Sequence, residues 1–185
     1  MNPYYAHPYY STHWPYPMPC YWPPYHDWRN WHPYVGGDSN NLPNDRDPQI
    51  ELKDYGGKPF VVDIKEAAKQ NKNYRTALWT GKHLQVTLMS IDVGGDIGLE
   101  VHPDVDQFIR IEQGQGLVQM GGRKDRLEFE RNVSEDDAIM IPAGTWHNVI
   151  NTGHVPLKLY SIYAPPEHPF GTVHRTKAEA MAVHR

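Results

Sequence analysis

GGDIGLEVHPDVDQFIRIEQG, residues 94–114, and PAGTWHNVIN, residues 142–151, carry most of what this sequence says about itself. Between them they place Glu100, His102, Gln107 and His147 at short, regular intervals, and all four side chains can coordinate a divalent metal. In IGLEVH a strand period of two puts Glu100 and His102 on one face, with Leu99 and Val101 on the other. Gln107 opens DQFIRIEQG and can share an interior face with Ile109 and Ile111. His147 follows Pro142-Ala143-Gly144, a tight bend able to swing the first residues of a new strand inward. A carboxylate among barrel-lining side chains is costly to bury unpaired, and a bound cation removes that cost. A hydrogen-bonded network without metal is the competing reading of the same four residues.

Outward from these motifs the pattern is one of short strands. RTALWT and HLQVTLMSID flank Gly81-Lys82 as a hairpin, and RLEFERNV, DAIMIPAG, HNVINTG and PLKLYSIYAPP follow at spacings of about ten residues. Gly, Asp, Asn and Pro punctuate the gaps. Upstream, Phe60-Val61-Val62 reads as a short strand, and Asp63 as the N-cap of a helix reaching about Asn71. HRTKAEAMAVHR at the C-terminus has helix-forming composition and is expected to fray or pack outside. The fold class is therefore all-β, a jelly-roll β-barrel with one short N-terminal helix.

Composition sets the boundaries. Residues 1–34 hold eight of the 12 tyrosines, four of the six tryptophans and eight of the 17 prolines, with only Asp27 and Arg29 charged. That Tyr/Pro/Trp/His-rich segment shows no helix or strand period and reads as a disordered tail. Residues 35–49 form a polar linker, and residues 50–185 the barrel domain. The net charge of −4 argues against nucleic acid. There is no apolar run long enough to span a membrane and no signal-peptide order, so a cytoplasmic location is expected. Cys20 is the only cysteine, which excludes an intramolecular disulfide.

The two motifs resemble those of the cupin superfamily. Gly94 is followed after five residues by Glu100-Val101-His102, then by Gln107 and Gly114 at the family's spacing; Pro142-Ala143-Gly144 leads to His147 and Asn151. Glu100 stands where the pattern has its first His, Gln107 where it has Glu, and Asp136 where the second motif has Gly. A register starting at His102 would recruit Asp104, but it breaks the spacing to Gln107; Asp104 and Asp106 are reserve ligands. The resemblance implies a barrel holding one divalent transition metal, Zn, Mn or Fe, through Glu100, His102, Gln107 and His147.

Several functions follow from that resemblance. The chain looks like the small single-domain cupins labelled mannose-6-phosphate isomerase-like, which implies an isomerase acting on a sugar or sugar phosphate. An Fe- or Mn-dependent dioxygenase, with Glu100, His102 and His147 as the facial triad, is the second reading. A phosphate would need a cation at the barrel mouth, for which Arg110, Arg123, Lys124 and Lys158 are candidates. Tyr160 and Tyr163 sit on opposite faces of PLKLYSIY, so one should line the cavity, and Trp146 could shape its rim. The third reading is a spore-coat or surface-associated protein recruited through the tail, whose His7, His13, His26 and His32 could bind metal weakly. Apolar outer residues Leu99, Val101 and Phe108 suggest a homodimer, with the strand near Phe60 exchanged between subunits.

Overall fold

The computed structural model describes residues 49–183, so the tail, and the linker up to residue 48, lie outside the described residues. Helix α1 (Ile64–Gln70) precedes strands β1 (Arg75–Thr80), β2 (Gln85–Ile91), β3 (Asp106–Gln113), β4 (Gln115–Gly121), β5 (Phe129–Ser134), β6 (Ala138–Ile141), β7 (Trp146–Asn151), β8 (Leu157–Ala164) and β9 (Val173–His174). Helix α2 (Lys177–Val183) follows. The strands form a six-stranded sheet ordered β6-β3-β8-β2-β1-β9 and a three-stranded sheet ordered β5-β4-β7. Every pairing is antiparallel, as a jelly roll requires.

Strand alternation sorts the side chains of the larger sheet. On β3, Gln107, Ile109 and Ile111 are buried, while Phe108 and Arg110 are only half-buried. Register then lines up the rows across the sheet: Gln107 with Tyr163 and Gln85, Ile109 with Ser161 and Thr87, Ile111 with Leu159 and Met89. One end of the barrel interior is thus polar, and the other is filled with Ile, Leu, Met and Val. The apolar end joins Ile111, Leu157 and Leu159 to Val118 and Val149 of the smaller sheet. Truncating one such residue to Ala costs about 2–5 kcal/mol.

The opposite face of the larger sheet is covered by α1. Asp63 caps it as expected, its Oδ1 accepting from Glu66 N at 3.0 Å. Ala67 and Ala68 pack on Leu78 and Leu88, with Phe60, Val62 and Tyr160 around them. Phe108 lies 6.1 Å from Tyr160, ring to ring, and is half-buried on this face.

Four readings of the local structure need correction. Phe60–Val62 forms no strand: Phe60 stacks on Tyr55 at 4.0 Å, and Val61 is 97% exposed. IGLEVH is not a strand either, because Gly98 takes φ +84° and breaks the extended run. Only isolated bridges remain there, Asp96 with Ile150 and Glu100 with His147. RLEFERNV enters the sheet only from Phe129. Finally, α2 does not stand apart, since Ala180 is buried in the main core beside Tyr74.

Candidate metal centre

Glu100 and His147 are held opposite each other by paired backbone hydrogen bonds, Glu100 N to His147 O at 3.0 Å and His147 N to Glu100 O at 2.9 Å. The bend before His147 is closed by Thr145 N donating to Pro142 O, with Gly144 at φ +76°. Gly144 N in turn donates to His102 O at 2.8 Å, so the second motif clamps the first. Asp106 belongs to this clamp, because its Oδ1 accepts from Ala143 N at 2.9 Å. Asp104 is exposed. Neither reserve ligand is needed.

The result is a cluster of Glu100, His102 and His147 whose ligand atoms all lie within 4.8 Å of one another. Glu100 Oε1 is 3.4 Å from His102 Nε2 and 3.5 Å from His147 Nε2. Those separations suit atoms that each approach one ion to about 2.1 Å. The far side of each imidazole is already engaged: His147 Nδ1 donates to Thr145 O at 2.9 Å, and His102 Nδ1 lies 3.1 Å from Glu167 Oε1. That arrangement leaves both Nε2 atoms as lone-pair donors facing the cluster.

Whether a metal suits this site is answered by the unpaired atoms. Glu100 Oε1, His102 Nε2, His147 Nε2 and Gln107 Oε1 are buried without a hydrogen-bond partner. Gln107 Nε2 donates to Ser161 Oγ at 2.9 Å, which fixes the amide and frees its oxygen. Such groups are costly to leave unmet, and a divalent cation meets them together. The residues therefore fit a metal ion, and the donor set of imidazoles and oxygens is compatible with Zn, Mn or Fe.

Electrostatics agree. Burial works against the charge on Glu100, yet the neighbouring His102 and His147 imidazoles and the Arg75 guanidinium prevail and lower its pKa to about 2. Burial also opposes protonation of His102, but the carboxylates of Glu100 and Glu167 raise its pKa overall. His168 is pushed down to about 3 by burial and by Arg75, so it is a neutral imidazole.

Beside the cluster lies a cavity of about 250 Å³, lined by Tyr74, Arg75, Glu100, His102, Glu167 and His168 among others. Tyr163 is the tyrosine of β8 that faces this interior; it is fully buried, with its ring 5.6 Å from His102 and 5.0 Å from His168. Tyr160 faces α1 instead. Lys158 is not at the mouth: its amino group bonds Asn71 O, beyond the C-terminus of α1, and Ser90 Oγ. Arg110 pairs with Glu112 and Asp136, Arg123 with Asp125, and Lys124 sits 5.5 Å over the Trp146 ring. Adjacent to buried His147 on β7, Trp146 points to the other face of its strand and does not shape the cavity.

The profile described as Cupin domain matches residues 87–163. YrkC of Bacillus subtilis, an uncharacterized protein, is 68% identical over 147 residues, covering 80% of this chain and 78% of the relative. The chain is a cupin. A second uncharacterized relative, L612 of Acanthamoeba polyphaga mimivirus, is 43% identical over 62% of this chain and 70% of its own length. The crystal structure of BH2720 from Bacillus halodurans shares 67% identity and a TM-score of 0.70, covering 71% of this chain and 99% of that one.

Sequence reasoning about this cupin missed Arg75, Glu167 and His168. Arg75 hides in a strand reading where it shares a face with Ala77; an arginine on the inward face of a barrel strand was the available signal. Glu167 and His168 lie between β8 and β9, where no strand period applies. Two adjacent residues of metal-site type after Pro165-Pro166 were the only hint.

Proposed function

We propose that this cupin is a metal-dependent protein acting on a small polyoxygenated molecule, with sugar isomerisation as the reaction class. The observation that carries the reading is the convergence of Glu100 Oε1, His102 Nε2 and His147 Nε2, unpaired and beside a cavity of about 250 Å³. Glu100, His102 and His147 would hold one divalent transition metal, with Gln107 Oε1 as a fourth donor. Such an ion, when bound, supplies Lewis-acid polarisation of a carbonyl or hydroxyl oxygen.

Aldose–ketose isomerisation moves one proton between neighbouring carbons and one between their oxygens, so the site needs a group that can carry a proton. Glu167 is suited to this, since it lines the cavity and only its Oε1 is engaged with His102. Tyr163 is a neutral donor, because burial pushes its phenol pKa up. A sugar phosphate would need a cation at the cavity; Arg110, Arg123, Lys124 and Lys158 do not line it, whereas Arg75 does.

The test is metal analysis of the purified chain beside Glu100→Ala and His147→Ala, followed by isomerisation assays on free sugars and mannose 6-phosphate. Near-stoichiometric metal in the parent and loss in both variants is expected. No metal uptake by the parent under any loading condition would overturn the proposal.

One observation favours a second reading. Two His and one carboxylate are the donor set of non-haem Fe(II) oxygenases, and the cluster has that composition. Oxygen consumption by the iron-loaded chain, absent with zinc, would select a dioxygenase. Recruitment to a spore coat or surface assembly through residues 1–34 is a separate proposal, tested by fusing that segment to a reporter in a sporulating host.

A further inference from the structure

Arg75 is the unusual residue of the cavity wall. It is 3% exposed, its Nε is buried without a hydrogen-bond partner, and the groups that act on its charge are Tyr163, Glu100 and Tyr74, none of them in salt-bridge contact with it among the described residues. Its guanidinium lies 5.6 Å from the Tyr74 ring, which covers one side of it and gives it no acceptor. A buried guanidinium N–H left without an acceptor is costly, and an anion placed beside it would meet it. Arginine presents a planar fork matched to a carboxylate, and here that fork borders the cavity that also holds Glu100 and His102.

Charge selects among anions. With the imidazoles neutral, a divalent ion and Arg75 face the carboxylates of Glu100 and Glu167, leaving the cavity one positive charge in excess. A monoanion brings that to zero, whereas a phosphate dianion overshoots it. His168, which also lines the cavity, has a buried Nε2 without a hydrogen-bond partner and can complete the hydrogen bonding of a second oxygen.

We propose that the cavity takes a small hydroxylated monocarboxylate, its carboxylate against Arg75 and a hydroxyl or carbonyl oxygen directed to the Glu100–His102–His147 cluster. This inference rests on the metal reading above and names the substrate class for it. The carboxylate end belongs to a sugar acid or a short hydroxy acid, and the neutral sugar and the sugar phosphate are the alternatives that the test separates.

The experiment uses the full chain loaded with manganese or zinc, with metal content measured first. D-Glucuronate, D-glucose and D-glucose 6-phosphate offer one scaffold at three charges, and glycolate offers the short acid. Calorimetric titration of each should show a carboxylate binding about tenfold or more tightly than glucose and than glucose 6-phosphate. In Arg75→Gln that preference should disappear, with metal content and melting temperature retained. Glucose or glucose 6-phosphate binding as well as the acids, or no binding by either acid, overturns the inference while leaving the metal site standing. Metal-free parent protein after loading would instead defeat the reading beneath it. Should Arg75→Gln fold poorly, the selectivity of the parent protein across the four probes decides alone.

Discussion

His102 Nδ1 lies 3.1 Å from Glu167 Oε1, so a loop residue beyond the last long strand orients an imidazole of the first motif. Partners of this kind hold the ring and its tautomer and strengthen it as a ligand. Glu167→Ala should therefore lower metal affinity about ten- to a hundredfold, and Glu167→Gln, which keeps an acceptor, should lower it less. Equilibrium competition against a chelator measures both. Equal affinity in Glu167→Ala and the parent would show that the pair does not support the site.

Metal binding should also be visible in stability. An ion present at a hundred times its dissociation constant stabilises the folded chain by about 2.7 kcal/mol. Thermal unfolding with and without added metal should show this gain in the parent and none in His147→Ala. An undiminished gain in that variant would remove His147 from the ligand set.

Acid should act on the metal-free fold through His168. The unfolded chain takes up a proton there near pH 6.5, while the folded chain resists until about pH 3. Stability is thus present above pH 6.5 and is lost as pH falls towards 3, at no more than about 1.4 kcal/mol per pH unit. His102 acts with the opposite sign, since its raised pKa favours the folded state in acid. Glu100 begins to add its own loss only below about pH 4.5, where an unfolded carboxylate protonates. Between pH 6.5 and 4.5, His168→Gln should flatten the descent of melting temperature; an unchanged slope would refute the assignment.

Asn151 has a structural duty that its motif position does not announce. Its Nδ2 donates to Ile91 O and Val155 O, each at 2.9 Å, and its Oδ1 accepts from Gly153 N at 2.9 Å. Asn151→Ala leaves those buried backbone groups unpaired, and a loss of about 2–4 kcal/mol in denaturant unfolding is expected. Metal content should be unaffected once the variant is folded.

Lys158→Met is a test of misplaced expectation. The amino group serves Asn71 O and Ser90 Oγ near the end of α1, so its removal should cost about 1–3 kcal/mol of stability without altering metal or ligand binding. A selective loss of ligand affinity would return Lys158 to the mouth.

What the sequence made legible was whatever a repeating or spaced pattern could carry. The period-two runs gave β3, β7 and β8, and Asp63 marked the start of α1. The spacing of Glu100 and His102 survived even though their segment is not a strand, because the backbone bridge between Glu100 and His147 does the positioning instead. Patterns failed where structure is made by single contacts. β9 is two residues long, below any periodic window, and α2 contributes to the core through Ala180. The choice between Tyr160 and Tyr163 needed the location of α1, which covers one face of the sheet. Lys158, adjacent to core residue Leu157 and buried itself, reads locally as a surface charge until Asn71 is seen to meet it.

Gln85 grips His168 at both backbone groups, donating to its carbonyl and accepting from its amide, each at 2.9 Å. Gln85, Arg75, Glu167 and His168 all fall outside residues 87–163, the stretch that marks the family. A chain could thus match the Cupin domain over that whole stretch, keep the same metal donors, and still differ at the wall positions Arg75, Glu167 and His168 and at Gln85, which holds His168. Kinship at the level of the domain would then vouch for the ion and be silent about the guest.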